Sequence, residues 1–141
     1  MYKIVLDTNI LISALISKKA NPHILYQAWW KYKIYSLITS TYQMREFERV
    51  VQYPKIQRFL KKDEVHTMIK GLFDFAIIVK DIPQVNYSPD PDDNIILATA
   101  IEGEANILVT GDKKDLLSLK KINNIAILTA RDAVEIMGIK F

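Results

Sequence analysis

The chain of 141 residues contains no cysteine. That excludes a disulfide frame and any thiolate metal site. Glycine is scarce, with four residues scattered singly, so no glycine-rich phosphate-cradling loop is present. There are only two histidines, His23 and His66, far apart in the chain with no second histidine or carboxylate spaced to complete a metal pair. Both are read as structural. Ser13 and Ser40 have no neighbouring base, which argues against a serine hydrolase. No apolar run reaches the roughly 18 residues that a membrane span needs. The N-terminus enters a strand-like segment at once, without the pattern of a secretory signal. A cytoplasmic protein is expected.

What is present is ordinary for a globular chain: 50% hydrophobic and 25% charged residues. The length suits one domain, 1–141, with a substantial core. Net charge is +3, and setting four clustered acids aside would leave 19 basic against 12 acidic residues. A basic surface around an acidic pocket suits a polyanion held by its phosphates.

Tyr2–Leu6 reads as a short buried strand ending in Asp7-Thr8-Asn9, with a helical apolar run from Ile10 to Ile16 behind it. Pro22 fits the first turn of a second helix. Ile34–Thr39 reads as strand, and Ser40 with Gln43 forms a capping-box signature for a helix carrying Met44, Phe47, Val50 and Val51 on one face. A short turn at Lys55–Leu60 and a helix capped by Asp63 follow, then strand Ala76–Val79 and a proline-bearing loop from Asp81 to Asp92. Asp93 opens a compact apolar helix, Ile107–Thr110 is a strand with the turn Gly111-Asp112 after it, and Lys113–Leu119 is a short helix. Ile125–Leu128 is a fifth strand, and Thr129 caps a last helix, Ala130–Met137, closed by Gly138. Alternating strands and helices with near-continuous apolar strands predict an α/β three-layer sandwich around a mostly parallel, about five-stranded sheet.

In such a sheet the carboxyl ends of the strands share one edge, where ligands bind. Asp7 and Asp112 follow strands there, Asp93 starts a helix there, and Glu46 lies early in the helix after the second strand. Each has a plainer reading. Asp7 could be an N-cap, Asp112 turn chemistry, and Glu46 part of a solvated charged face in which Glu48 competes with it. Asp90, Asp92 and Asp93 could merely cap the next helix. The case rests on convergence, because clustered carboxylates repel unless a cation sits among them. Carboxylate oxygens suit Mg²⁺ or Mn²⁺, and such an ion is equipment for phosphodiester hydrolysis. Trp29, Trp30, Tyr32 and Tyr35 with Lys31 and Lys33 could stack bases, but at helical spacing they are read as part core and part subunit contact.

Four segments in order resemble the PIN-domain ribonucleases, above all the branch of toxins from toxin–antitoxin systems. They are Val5-Leu6-Asp7-Thr8-Asn9, then Ser40 through Glu46-Phe47 with Val50-Val51 and Pro54-Lys55, then Asp90-Pro91-Asp92-Asp93 with Leu97-Ala98-Thr99-Ala100, and Leu108-Val109-Thr110-Gly111-Asp112. The resemblance implies an acidic quartet of Asp7, Glu46, Asp93 and Asp112 that holds Mg²⁺ or Mn²⁺. It implies in-line attack of water on single-stranded RNA, leaving a 5′-phosphate and a 3′-hydroxyl. It further implies support from Thr8, Asn9 and Thr110, accessory roles for Asp92 and Asp115, a cognate antitoxin protein and a homodimer. Asn9 stands as the hydrogen-bond partner expected for Asp7. A haloacid-dehalogenase-like phosphatase would need an acid where Asn9 stands, and a response-regulator receiver would need an early acidic pair that is missing. The alternative is a catalytically weak RNA-binding or partner-binding module.

Overall fold

A computed structural model describes residues 1–111 and 114–140. Six strands, β1 Lys3–Leu6, β2 Ser36–Ser40, β3 Ile77–Val79, β4 Ile107–Val109, β5 Lys121–Ile122 and β6 Ile125–Leu128, form one sheet in the order β3-β2-β1-β4-β6-β5. All neighbours pair in parallel except β5 with β6. Helices connect them: α1 Thr8–Ile16, α2 Asn21–Trp30, α3 Thr41–Val50, α4 Pro54–Gln57, α5 Lys62–Phe75, α6 Pro91–Glu102, α7 Lys114–Leu117 and α8 Ala130–Met137.

The two faces follow from the period of two along each strand. Ile4, Leu6, Leu37, Ile107 and Val109 point into one core, shared with α1, α2, α3, α5 and α8. Val5, Ile38, Leu108, Ile125 and Ile127 point into the other, shared with α6 and α7. Three layers result, as the alternation of apolar strands with helical patterns predicts. No helix among the described residues is long and apolar enough to cross a membrane.

Several boundaries differ from expectation for local reasons. The sheet has six strands, not five, because the hairpin Lys121–Leu128 adds the two-residue β5. A strand so short has no periodicity to read. Its turn is at Asn123, whose φ of 53° suits asparagine. The second strand begins at Ser36 rather than Ile34, since Lys33 adopts a left-handed φ of 52° after α2. Asp63 does not cap α5; Lys61 occupies that position and Asp63 lies in the first turn with Glu64, where negative charge favours the helix. Thr129 does cap α8, accepting from the Asp132 N–H at 3.1 Å, and Gly138 closes it with φ 63°.

Candidate metal centre at the carboxyl edge of the sheet

β1 sits in the middle of the sheet between β2 and β4, so its carboxyl end faces the loops after both neighbours. The pairing of Leu6 with Val109 carries on to Asp7 and Thr110. The Asp7 N–H donates to the Val109 carbonyl at 2.8 Å. The Thr110 hydroxyl donates to Asp7 Oδ2 at 2.9 Å, with both residues buried. Asp7 does occupy the N-cap position of α1, and its carbonyl accepts from Ile10 and Leu11. Its carboxylate makes no capping bond. The plain capping explanation therefore accounts for the main chain of Asp7, while its buried carboxylate is turned away from the cap and accepts from Thr110.

Thr8 links the next acid. Its hydroxyl donates to Glu46 Oε1 in a short hydrogen bond. Glu46 is half-buried in the second turn of α3, and Glu48 points to solvent. A helix advances 100° per residue, so two positions separate the faces by more than half a turn. Only Glu46 reaches the end of β1.

Asp93 lies in the first turn of α6 and is 2% exposed, with Asp92 outside. The Ser88 hydroxyl donates to Asp93 Oδ2 at 3.1 Å. Capping of α6 falls instead to Asp90, which accepts from the Asp92 N–H at 2.9 Å. The triplet Asp90, Asp92, Asp93 thus divides into a cap, a surface residue and an inward acid.

Other expected members are placed differently. Asn9 is exposed: one residue after an inward Asp7-Thr8 pair, α1 turns it outward, and the hydroxyl that holds Asp7 is that of Thr110. Asp115 is exposed on α7, with the Ser118 hydroxyl donating to its carbonyl. Asp112 lies outside the described residues. Among the described residues, no three His, Cys, Asp or Glu side chains stand close enough together to hold an ion. His23 is held structurally, its Nδ1 2.9 Å from the Ala14 carbonyl, and His66 is exposed.

A buried hydroxyl and amide network, not foreseen as part of the site, sets the helices that bear the acids. Ser40 ends β2 and caps α3, accepting from the Gln43 N–H at 3.2 Å. Ser40 Oγ also accepts from Thr99 at 2.8 Å, which ties α6 to the same point. The Gln43 side chain does not complete a capping box. It donates to the Leu6 carbonyl at 2.5 Å and accepts from Thr39 at 2.8 Å. Asp7 is thus flanked by a strand end pinned from both sides. Asn94 fixes the loop behind Asp93, accepting from the N–H groups of Tyr87 and Ser88 and donating to the Ser88 carbonyl at 2.8 Å. The available signal was Thr99, a hydroxyl within the buried run Leu97-Ala98-Thr99-Ala100.

By donor chemistry, Asp7, Glu46 and Asp93 suit a hard divalent cation: the donors are all oxygen, and each of the three is oriented by a hydroxyl, as outer partners orient carboxylate ligands.

Comparison with known proteins places these features in a wider group. A family model described as the PIN domain matches residues 3–114. The chain is also similar to an uncharacterized protein of Methanocaldococcus jannaschii, MJ1680. The two are 32% identical over 130 residues, which cover 87% of this chain and 82% of that one.

Proposed function

The chain belongs to the PIN-domain family, a nuclease-type fold, and we propose from that membership that it is a metal-dependent endoribonuclease acting on single-stranded RNA. One observation carries the reading: the Asp7 carboxylate is buried at the sheet edge, unused as a cap, and held in place by Thr110. Burying a carboxylate is costly, and folds retain such a group where it does chemistry.

Asp7, Glu46 and Asp93, with Asp112, would hold Mg²⁺ or Mn²⁺. An ion held there would supply the positive charge that activates water and offsets the charge growing on the phosphate. Thr110, Thr8 and Ser88 keep the three carboxylates in place for it. Hydrolysis forms a bond from the water oxygen to phosphorus and breaks the bond from phosphorus to the 3′ oxygen. The 3′ oxygen leaves with a proton, giving a 3′-hydroxyl and a 5′-phosphate. Asp92 and Asp115 are exposed and would have accessory roles at most.

The same family likeness supports a role as the toxin of a toxin–antitoxin pair in the cytoplasm, as a single domain that pairs into a homodimer. Exposed Tyr32, Phe73 and Phe75, the last packed against Trp30, offer aromatic surface for a second copy. Growth arrest on expression, relieved by a small neighbouring gene, is the expected sign of the toxin role. A second reading, a catalytically weak RNA-binding or partner-binding module, is favoured by the lack of three converging acids among the described residues.

The separating experiment is cleavage of single-stranded RNA by purified, partner-free protein. Mn²⁺-dependent cutting, lost with EDTA and with Asp7→Asn, is expected. Asp7→Asn should melt at the same temperature as the native protein or higher, because it relieves repulsion between carboxylates at the edge. Binding without cutting in Mg²⁺ and Mn²⁺ would leave the second reading standing.

A further inference from the structure

The chemistry above uses one side of the carboxyl edge and leaves a groove next to it without a role. This groove, about 630 Å³, lies between the first turn of α3, the first two turns of α6 and the loop before α6. That size is in the range of pockets for small ligands, roughly 300–1,000 Å³.

Three features distinguish it. The first is its position. Tyr42 forms one wall and stands four residues before Glu46, so the two are neighbours along one side of α3. Ser88 forms another part, and its hydroxyl holds Asp93. The groove therefore runs up to side chains that hold or flank two of the candidate metal-binding acids. The second is its chemistry. None of its lining residues carries a charge. Tyr42 is 42% exposed, Pro83 and Val85 supply apolar surface, and the exposed Gln84 and Asn86 line it as well. Neither amide is used by another described protein group, so both can meet the edge of a ligand. The third is order. The Asn94 side chain holds Tyr87 and Ser88 by three hydrogen bonds, which fixes the Ser88 end of the loop wall.

We propose that this groove seats one unpaired nucleobase of the RNA, beside the scissile phosphate, stacked on Tyr42 with its hydrogen-bonding edge toward Gln84 and Asn86. The proposal rests on the ribonuclease reading. An aromatic face with amides at the rim is how proteins take splayed single-stranded bases. A groove without cations suits the neutral base and leaves the phosphate to the acidic centre. Duplex RNA is refused, because its bases are not free to enter. The site would also give the enzyme a base preference next to the cut.

The test uses the full chain and short single-stranded RNAs that carry each base, or an abasic residue, beside the cleaved bond. Cleavage with Mn²⁺ is measured for the native protein, Tyr42→Phe, Tyr42→Ala and Asn86→Ala. Tyr42→Ala should lose roughly 5- to 150-fold in kcat/KM on base-bearing RNA, the worth of one stacked base, and that loss should vanish on the abasic RNA. Tyr42→Phe should stay close to native, and Asn86→Ala should level the base preference. Binding of RNA with 2-aminopurine at that position gives a second readout, since stacking on Tyr42 quenches its fluorescence. Cleavage with equal losses on both RNAs, or with 2-aminopurine unquenched, overturns the groove assignment alone; a groove that instead takes a partner peptide gives that result. Quenching without any cleavage overturns the ribonuclease reading and leaves the base site standing. Neither cleavage nor quenching overturns both.

Discussion

Replacing Thr110 with valine tests how Asp7 is held. Valine keeps the shape of threonine but removes the hydroxyl that donates to Asp7 Oδ2 at 2.9 Å. Thr110 has no exposed surface and Asp7 only 1%, so water is poorly placed to substitute. A hydrogen bond to a charged group contributes about 1.5–3 kcal/mol. For a chain of this length that corresponds to a fall in Tm of about 5–10 °C in metal-free buffer. The larger effect concerns metal. Loss of an outer partner that orients a ligand weakens metal affinity or activity by about 10- to 100-fold. The assay is cleavage of single-stranded RNA across a Mn²⁺ titration, with melting curves beside it. Thr110→Val should shift half-saturation to higher Mn²⁺, and Thr110→Ser should restore it. If Thr110→Val loses stability while its Mn²⁺ dependence stays native, Thr110 is a core hydroxyl only, and the link from Asp7 to metal is wrong.

Other outcomes follow from the same geometry. Glu46→Gln and Asp93→Asn should cut RNA at a small fraction of the native rate, while Glu48→Gln and Asp92→Asn, altered in solvent, should stay near native; a reversed pattern in kcat/KM would show that the inward acids were misidentified. Gly103→Ala should destabilise by about 1–3 kcal/mol in urea titrations, because its Cβ would stand 2.5 Å from Cγ2 of the fully buried Ile38, which has no room to give way. Stability should also fall in alkali. Burial pushes the Tyr35 phenol, which donates to the Leu25 carbonyl at 2.7 Å, well above its ordinary value, and burial followed by the charge of Glu64 pushes Tyr26 up to about 12. Both keep their protons when folded and lose them near pH 10 when unfolded. This stability is whole below about pH 10 and is lost as the pH rises toward 12, at about 1.4 kcal/mol per pH unit for each phenol. Tyr35→Phe should make the slope of urea midpoint against pH shallower, and an unchanged slope would contradict this.

Features that depend on nearby residues could be read directly. The apolar strands, the Ser40 and Thr129 caps and the Gly138 terminus are settled within a few residues of chain. Partnerships across the fold could not. Asp7 and Thr110 are 103 positions apart, and only the pairing of β1 with β4 makes them neighbours. Asn9 was the nearer candidate in sequence, but the first turn of α1 points it outward. Spacing alone also left Asp92 against Asp93 and Glu46 against Glu48 open; burial decides which of each pair faces inward, since helical positions one or two apart face different ways. Gln43 shows the limit of a local motif. Its N–H obeys the capping signature, while its side chain crosses to the Leu6 carbonyl, a partner no short window contains. β5 went unread because two residues carry no periodicity.

The central claim is that the carboxyl edge of the sheet binds a divalent cation through acids from separate parts of the chain. A crystal soaked in Mn²⁺, with anomalous scattering recorded near the manganese edge, tests it most directly. The expected result is an anomalous peak coordinated by the carboxylates of Asp7 and Asp93, lost in Asp7→Asn crystals. A peak elsewhere, or none at these carboxylates at millimolar Mn²⁺, would contradict the account.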